Sequence, residues 1–256
     1  MRKALKGSYL GLMLAFLYLP IAVMIVLSFN ASRSRAKWGG FTFDWYIKLF
    51  QRPEIMQALW VTISIAVLAT LAATVLGTIG AIGIHAMKSG MAGALLNVSY
   101  IPMTTPDIVT GVSLMLMFVF VNMPLGYWTM LMAHIAFDTP YVLFSVMPRL
   151  KRMNVHAYEA ALDLGCTPGK AIGKVILPEI LPGVITGALL SFTLSLDDFV
   201  ISYFTSYTDK NLSMIIYSAA RKGVEPTIYA LSALMFVAVL ILLLIVNKRS
   251  ALEDVS

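Results

Sequence analysis

Four aspartates stand inside long apolar stretches of the sequence, and these residues are the ones best suited to chemistry. They are Asp107, Asp138, Asp197 and Asp198. No Lys or Arg lies within the same apolar stretches to pair with them. A carboxylate in apolar surroundings requires water, a proton or a cation. Ionisable groups at such positions are therefore candidates for a substrate pathway.

Each acid also has a structural interpretation. Asp107 and Asp138 each lie close to a proline, so either of them can cap a helix. Asp197 and Asp198 are adjacent and would point about 100° apart on a helix, so only one can face a lumen squarely. A cavity lined by acids and aromatic rings favours a positively charged, partly aliphatic solute such as a polyamine. The aromatic residues available for such a lining are Tyr203, Phe204, Tyr207 and Tyr217.

Other kinds of site find little support in the residues. The single cysteine, Cys166, excludes a disulfide scaffold and a multi-cysteine metal site. His85 and His134 are interpreted as packing residues rather than ligands, and the methionines as core or lipid-facing residues. No metal site is predicted.

The elements that hold these residues are membrane-spanning helices. Hydrophobic residues make up 59% of the 256 residues and charged residues 12%, against about 25% charged residues in soluble domains. Between Glu54 and Lys88, 33 consecutive residues carry no charge, and about 20 apolar residues suffice to cross a bilayer. The net charge of +6 is interpreted as loops that face anionic lipid headgroups.

The pattern predicts an all-α membrane protein with six transmembrane helices, forming a single transmembrane domain over residues 1–256. An even number of spans places both termini on the same side of the membrane. Of the 19 basic residues, 11 fall on the side of the termini and 8 on the other, a small excess that favours cytoplasmic termini. The predicted spans are 9–29, 57–86, 95–121, 127–148, 180–205 and 226–247.

One long loop on the predicted inner side, residues 149–178, carries a distinctive pattern. The run YEAALDLG over 158–165 favours a helix, with Gly165 supplying the left-handed residue that ends it. Thr167 followed by Pro168 predicts the N-cap and first position of a second short helix. Pro178 and Pro182 are expected to break the chain before the next span.

This pattern, Glu-Ala-Ala, three residues, Gly and a later proline, resembles the EAA loop of ABC importer permeases. The resemblance implies a type I-like importer permease whose loop inserts as a coupling helix into a cytoplasmic ATPase. By the same match, Glu159 and Gly165 are the key coupling positions, with Ala160 and Ala161 lying against the partner. A helical connector that merely contains alanines is the alternative interpretation.

The chain itself lacks the sequence needed to bind ATP. No G-x-x-x-x-G-K-[ST] motif occurs, because Gly169-Lys170 is followed by Ala171. The sequence therefore predicts a pore subunit without a catalytic site or cofactor of its own, and ATP and Mg²⁺ are expected on a partner ATPase.

Further segments resemble the spermidine/putrescine branch of this permease family, in its C-type subunits. They are WGGFTFDWY (38–46), PDIV (106–109), FTLSLDDFVIS (192–202) and IYSAARKGVEP (216–226). The resemblance implies polyamine import across a bacterial cytoplasmic (inner) membrane, with Asp107, Asp197, Asp198 and Tyr217 along the pathway. It implies a homologous second permease, two ATP-binding subunits and an extracytoplasmic polyamine-binding protein as partners, and no nucleic acid.

Two alternatives remain open at the level of the sequence. The same machine can serve another solute, such as an amino acid, a metal or an oxyanion. A stand-alone secondary transporter or a channel is the more distant alternative. Secondary transporters usually show inverted repeats, which the sequence does not, and a channel gives no reason for the EAA pattern.

Overall fold

The computed structural model describes residues 2–34, 36–223 and 225–253. Within these residues the chain is almost entirely helical, with an isolated β-bridge between Asn30 and Phe41. The described residues form twelve α-helices and one π-helical turn: α1 (Arg2–Ser28), α2 (Asp44–Phe50), α3 (Pro53–His85), α4 (Ser89–Thr104), α5 (Asp107–Phe120), α6 (Tyr127–Arg152), α7 (Val155–Asp163), α8 (Pro168–Ala171), the π turn (Ile172–Ile176), α9 (Leu177–Asp197), α10 (Val200–Thr205), α11 (Leu212–Lys222) and α12 (Pro226–Glu253).

The chain is divided into two compact units. One unit contains the residues up to Met56 together with those from Ile215 onward, and the other contains Gln57–Met214. The first unit holds α1, α2, α12 and most of α11. The second holds most of α3 and all of α4 to α10, and it therefore contains the four candidate acids and the 149–178 loop.

The described helices have the lengths and compositions of membrane spans. Four of them are long and apolar enough to cross a bilayer: Gly7–Ser28, Pro53–His85, Tyr127–Arg152 and Pro168–Asp197. α4 and α5 are long and apolar enough to cross a bilayer only when they are taken together, and they are bent by 106° relative to each other. The described apolar part of α12, Pro226–Ile241, is shorter. The all-α membrane fold is confirmed, whereas the count of six spans is not.

The span expected over 95–121 consists of two helices in the structure. α4 ends at Thr104, Thr105 is extended with ψ of 138°, and α5 starts at Asp107. The cause is Pro106, which lacks a backbone N–H and disfavours helical geometry in the residue before it.

The span expected over 180–205 differs from the structure at both ends. Helix runs continuously from Pro168 to Asp197, so neither Pro178 nor Pro182 breaks it. In the preceding π turn the N–H of Leu177 bonds to the carbonyl of Ile172, and this wider bonding accommodates the missing N–H of Pro178. At the other end α9 stops at Asp197, Asp198 is extended with ψ of 125°, and α10 follows.

α9 packs antiparallel against α6 through close backbone contact. A Cβ on Gly183 would lie 2.9 Å from the carbonyl oxygen of Ser145, and one on Gly187 would lie 2.9 Å from the Cα of Val142. The spacing Gly-x-x-x-Gly places both glycines on one helix face, and small residues of this kind allow helices in membranes to approach closely.

The same face of α9 continues with serines that reach polar residues of α6. The Ser191 hydroxyl donates to the Oδ2 atom of Asp138 at 2.9 Å, and the Ser195 hydroxyl lies 2.6 Å from Nδ1 of His134. Each advance of four residues along α9 thus meets a residue about four positions earlier on α6. We call these four α9 positions the small-residue stripe: Gly183, Gly187, Ser191 and Ser195.

α3 packs on α6 beside this interface. A Cβ on Gly77 would lie 2.7 Å from the Cβ of Val142 and 2.9 Å from the carbonyl oxygen of Thr139. Buried apolar residues from α3, α6 and α9, among them Ala73, Val146 and Ile180, form one core cluster. α6 is therefore the central helix of the second unit.

The first unit contains a short folded segment after α1. The indole Nε1 of Trp45 donates to the carbonyl of Asn30 at 2.7 Å, and the rings of Phe29 and Phe41 stack with centroids 5.2 Å apart. The aromatic segment that follows α1 is thereby fixed to the end of that helix.

Candidate functional site

The helix of the EAA-like pattern, α7, is capped by a side chain at its start and by backbone geometry at its end. At its start the Asn154 side chain accepts a hydrogen bond from the N–H of His156 at 3.1 Å. At its end Gly165 has φ of +86°, its N–H bonds to the carbonyl of Leu162, and the Cys166 N–H bonds to the carbonyl of Ala161. These two bonds form a Schellman motif. The predicted left-handed role of Gly165 is confirmed.

The two alanines of this pattern have different environments. Ala160 is exposed, whereas Ala161 is 9% exposed and packs within the chain. The expectation that both alanines lie against a partner is therefore corrected for Ala161, which faces inward because it is one position further around a short helix. Glu159 is exposed, and its only described partner is the nearby His156, with Nδ1 to Oε2 at 3.2 Å.

The second helix of the loop differs from the short helix that was expected. Thr167 occupies the N-cap position and Pro168 follows it, as predicted, but the Thr167 side chain makes no capping hydrogen bond. α8 then continues through the π turn into α9 without a break. The loop therefore presents one short helix, α7, next to the start of a long one.

α7 lies at the end of the α6–α9 pair opposite to Asp197 and Asp198. It connects the C-terminus of α6 at Arg152 to the start of the continuous helix at Pro168. His134, which contacts the α9–α10 region, precedes Arg152 by 18 residues, or about 27 Å of helix.

Asp197 and Asp198 have opposite environments at the α9–α10 junction. Asp197 is exposed at the last position of α9. Asp198 has a side chain that is 9% exposed, and its carboxylate accepts the N–H groups of Ile201 at 3.2 Å and Ser202 at 2.8 Å. Asp198 thus caps the start of α10.

A buried polar cluster surrounds the Asp198 carboxylate. The Ser202 hydroxyl donates to Oδ2 of Asp198 at 2.9 Å, and Nε2 of His134 lies 2.9 Å from the Ser202 hydroxyl and 3.5 Å from Oδ2. The Nδ2 group of Asn211 donates to the Ser202 hydroxyl and to the Asp198 carbonyl, both at 2.8 Å. We call this group, together with Ser195, the junction cluster.

Asp107 lies close to this junction. It is the first residue of α5 and is exposed. One turn further along α5, a Cβ on Gly111 would lie 3.2 Å from the Phe204 ring and 3.4 Å from the carbonyl oxygen of Val200. Because residues four apart share a helix face, Asp107 lies on the face of α5 that meets α10. The structure therefore brings Asp107 and the two adjacent acids to one region.

Asp138 does not cap a helix, contrary to one interpretation of the sequence. It lies in the middle of α6 and is fully buried. Ser191 donates to its Oδ2 atom at 2.9 Å, while within the described chain its Oδ1 atom has no hydrogen-bond partner. Because it is buried, Asp138 belongs to the helix interface and not to an accessible pathway.

Tyr217 belongs to the other compact unit, on α11. Its side chain is 46% exposed, and the Arg221 guanidinium lies 5.9 Å from its ring centroid. Near the acids of the second unit, the ring of Phe204 on α10 packs close to Gly111 of α5.

No group of three or more His, Cys, Asp or Glu side chains in the described ranges is arranged to hold a metal ion. Of the four candidate acids, Asp107 and Asp197 are exposed, and they lie near a junction that Asp198 caps.

The small-residue stripe and the junction cluster are not among the features predicted from the sequence. The stripe has a readable signal, because small residues recur at every fourth position from Gly183 to Ser195. In the junction cluster, His134 lies 64 positions before Asp198 and Asn211 lies 13 positions after it. No local sequence pattern predicts such distant contacts.

Comparisons with known proteins agree with the fold and with the resemblance to ABC importer permeases. Residues 73–248 match the family described as "Binding-protein-dependent transport system inner membrane component". The chain is 36% identical over 243 residues to the spermidine/putrescine transport system permease protein PotC of Escherichia coli strain K12, covering 94% of this chain and 92% of the relative. It is 38% identical over 233 residues to the putrescine transport system permease protein PotI of the same strain, covering 88% and 83%.

Two solved structures share the fold at low sequence identity. A bacterial ABC transporter involved in the import of the acidic polysaccharide alginate aligns with a TM-score of 0.71 and 19% identity, covering 97% of this chain and 94% of the other. The MetNI methionine ABC transporter, in an inward-facing conformation, aligns with a TM-score of 0.63 and 18% identity, covering 84% and 100%.

Proposed function

Because the chain belongs to the family of binding-protein-dependent transport system inner membrane components, we propose that it is a permease subunit of an ATP-driven polyamine importer. The observation that carries the proposal is the 36% identity to a spermidine/putrescine permease, which extends over 94% of the chain. The accessible acids of the second unit support the choice of a cationic solute.

Asp107 and Asp197 are the acids that meet the substrate in this proposal. Both are exposed and lie near the junction of α9 and α10. Ammonium groups form charge-assisted hydrogen bonds with carboxylates, and a polyamine carries several of them on an aliphatic chain. Asp198 contributes less directly, because its oxygens already accept bonds from Ile201 and Ser202. Tyr217 is proposed as an aromatic residue of the pathway, as the family resemblance implies.

Coupling to ATP hydrolysis is assigned to α7. Glu159 and Ala160 are exposed on it and are free to meet a partner subunit, while Gly165 fixes the end of the helix and Ala161 anchors it to the chain. ATP and Mg²⁺ bind to the partner ATPase, and closure of two ATPases moves α7 and, through α6 and α9, the pathway.

The proposed complex contains this permease, a homologous second permease, two ATP-binding subunits and an extracytoplasmic polyamine-binding protein. It lies in a bacterial cytoplasmic (inner) membrane with both termini in the cytoplasm. In this orientation α7 lies on the cytoplasmic side. The junction of α9 and α10, about 27 Å further along α6, lies toward the outer side, where a binding protein delivers its solute.

Uptake by the reconstituted complex tests the substrate class. Proteoliposomes with the binding protein would take up labelled spermidine and putrescine, with non-amine solutes as competitors. We expect Asp107→Asn and Asp197→Asn to lower uptake at limiting substrate by roughly 10- to 150-fold, because one charge-assisted contact is lost. The loss should be larger for trivalent spermidine than for divalent putrescine.

Asp44→Asn is the matched control for these variants, because Asp44 is also exposed but lies on α2 in the other unit. Wild-type uptake that non-amine solutes abolish would overturn the polyamine assignment. So would Asp107→Asn and Asp197→Asn proteins that both transport within a factor of two of wild type.

A second experiment tests the coupling role of α7. Glu159→Ala should leave the protein inserted but reduce co-purification of the ATPase and transport. Asp163→Ala, which removes another exposed acid from the same helix, serves as the control. Normal ATPase binding and transport by Glu159→Ala would refute the coupling assignment while leaving the substrate assignment intact.

A further inference from the structure

The junction cluster has a hydrogen-bond arrangement that its donors and acceptors determine. The Ser202 hydroxyl gives its single hydrogen to the Asp198 carboxylate at 2.9 Å. Its two lone pairs then accept from Nδ2 of Asn211 at 2.8 Å and from Nε2 of His134 at 2.9 Å. A serine hydroxyl has no further capacity.

The arrangement specifies which nitrogen of a neutral His134 carries the proton. Nε2 must donate, because Ser202 can only accept from it and the Asp198 carboxylate, 3.5 Å away, is also an acceptor. Nδ1 is then an acceptor and receives the Ser195 hydroxyl at 2.6 Å. One ordered chain of donors therefore runs from α9 through His134 of α6 to Ser202 of α10 and on to Asp198.

Asn211 closes the cluster on its other side. Its Nδ2 group uses one hydrogen for Ser202 and the other for the Asp198 carbonyl. Its Oδ1 atom accepts the N–H of Met214 at 2.9 Å in the first turn of α11. His134, Ser202 and Asn211 are all nearly inaccessible, so a lost partner cannot be replaced by water from outside.

We propose that His134 is a positioning residue that holds Asp198 as the cap of α10 and so leaves Asp197, of the two adjacent acids, as the one available to a cationic solute. His134 contacts α9 through Ser195 and α10 through Ser202. It therefore links the two helices across the two-residue break at Asp198 and Phe199. The break determines where α9 ends, and Asp197 is the residue at that end. The assignment of Asp197 to a solute rests on the proposed function, whereas the positioning itself does not.

Thiol labelling at position 197 measures the positioning without any substrate. The complete complex would carry Asp197→Cys in a Cys166→Ser background, which removes the only native cysteine. The labelling rate with a membrane-impermeant cationic thiol reagent would be compared for wild-type His134, His134→Gln and His134→Asn.

The two amides form a matched pair. A Gln side chain places its NH₂ group near the former Nε2 position and keeps the donor to Ser202. An Asn side chain ends near the former Nδ1 position and keeps only the Ser195 contact. We expect His134→Asn to change the labelling rate more than threefold and His134→Gln to change it less than threefold.

Any other pattern overturns the proposal, including equal changes in both variants and no change in either. If neither variant inserts, Ser202→Ala supplies the comparison, because it removes the same link to Asp198 and leaves His134 in place. It should also change the labelling rate more than threefold, and a smaller change would count against the proposal.

Polyamine uptake separates this proposal from the proposed function. His134→Asn should lower spermidine uptake about tenfold, and adding Asp197→Asn should lower it little further, because residues that act through one another are not additive. A complex that transports no polyamine in its wild-type form, yet shows the expected labelling, would refute the transport assignment and retain the positioning. Normal polyamine uptake with unchanged labelling would refute the positioning alone.

Discussion

Two helix ends in the second unit are built in opposite ways. α7 ends through the backbone, with a left-handed Gly165 and two main-chain bonds, and its side chains Glu159 and Ala160 remain exposed. The junction where α9 ends and α10 begins is fixed by side chains, with Asp198, Ser202 and His134 in mutual contact.

The difference shows that the type of helix cap determines which side chains remain available to a partner. A backbone cap fixes a segment while leaving every side chain open to a partner, which suits docking onto another subunit. A side-chain cap occupies the polar groups it uses, so only the neighbouring residue, Asp197, remains open. Substitutions should therefore alter assembly at α7 and stability at the α9–α10 junction.

The largest effect is expected from Asp198→Ala. It leaves two backbone N–H groups and the Ser202 hydroxyl without an acceptor, which should cost about 3 kcal/mol or more. Unfolding by SDS in mixed micelles measures this loss. Asp197→Ala is the control next to it and should cost less than about 0.5 kcal/mol, because that side chain is exposed. Equal stability of the two variants would contradict the division of roles.

Gly187→Ala should have the next largest effect. The added Cβ would lie 2.9 Å from the Cα of Val142, so α6 and α9 must separate, at a cost of about 2 kcal/mol. Gly169→Ala, on α8 with no atom within 4 Å of the added Cβ, is the matched control and should be neutral. If both variants unfold at the same SDS fraction, the close packing of the small-residue stripe is disproved.

Gly165→Ala tests the backbone cap of α7. The position is open in space, so only the left-handed φ opposes alanine, by about 1–2 kcal/mol. The strain should loosen the end of α7 and weaken ATPase co-purification, with a smaller change in unfolding than for Gly187→Ala. Gly165→Asn, which tolerates this conformation, should restore most of the binding. Gly165→Ala with full ATPase binding would show that the turn does not support coupling.

Thr167→Val should have the smallest effect. A capping Thr167 hydroxyl would make this substitution cost about 1 kcal/mol, but the Thr167 side chain forms no cap bond. We now expect a change below about 0.5 kcal/mol in SDS unfolding and normal ATPase binding. A loss near 1 kcal/mol would mean that the hydroxyl caps the helix after all.

The contrast between the two helix ends also explains what sequence reasoning reached. The α7 end depends on one glycine and its neighbours, which local turn chemistry identifies, and the apolar runs identify the spans. Pro106 causes the bend before α5, but the length of the apolar run predicts one continuous span there. Pro178 was expected to break a helix, and the π turn before it could not be foreseen from residue types.

The candidate acids show the same limit. The sequence identified Asp107, Asp197 and Asp198 but could not tell which of the adjacent pair is accessible. That choice depends on Ser202 and on His134, which lies 64 positions away. Asp138 was assigned a capping alternative because of the nearby Pro140, and the structure instead buries it against Ser191. Partners across helices decide such roles.

The four-residue repeat of the small-residue stripe bears on how α6 and α9 find each other during membrane insertion. Sliding α9 by four residues, about 6 Å, would again place a small residue opposite Ser145, Val142 and Asp138, so the shape of these three contacts does not distinguish correct from slipped pairing. In the slipped pairing Ser195 would meet Asp138, and His134 would face Phe199, which offers it no hydrogen-bonding side chain. The hydrogen bonds of His134 therefore favour a single register, and without them α9 is expected to assemble with Asp197 and Asp198 about one helical turn out of place.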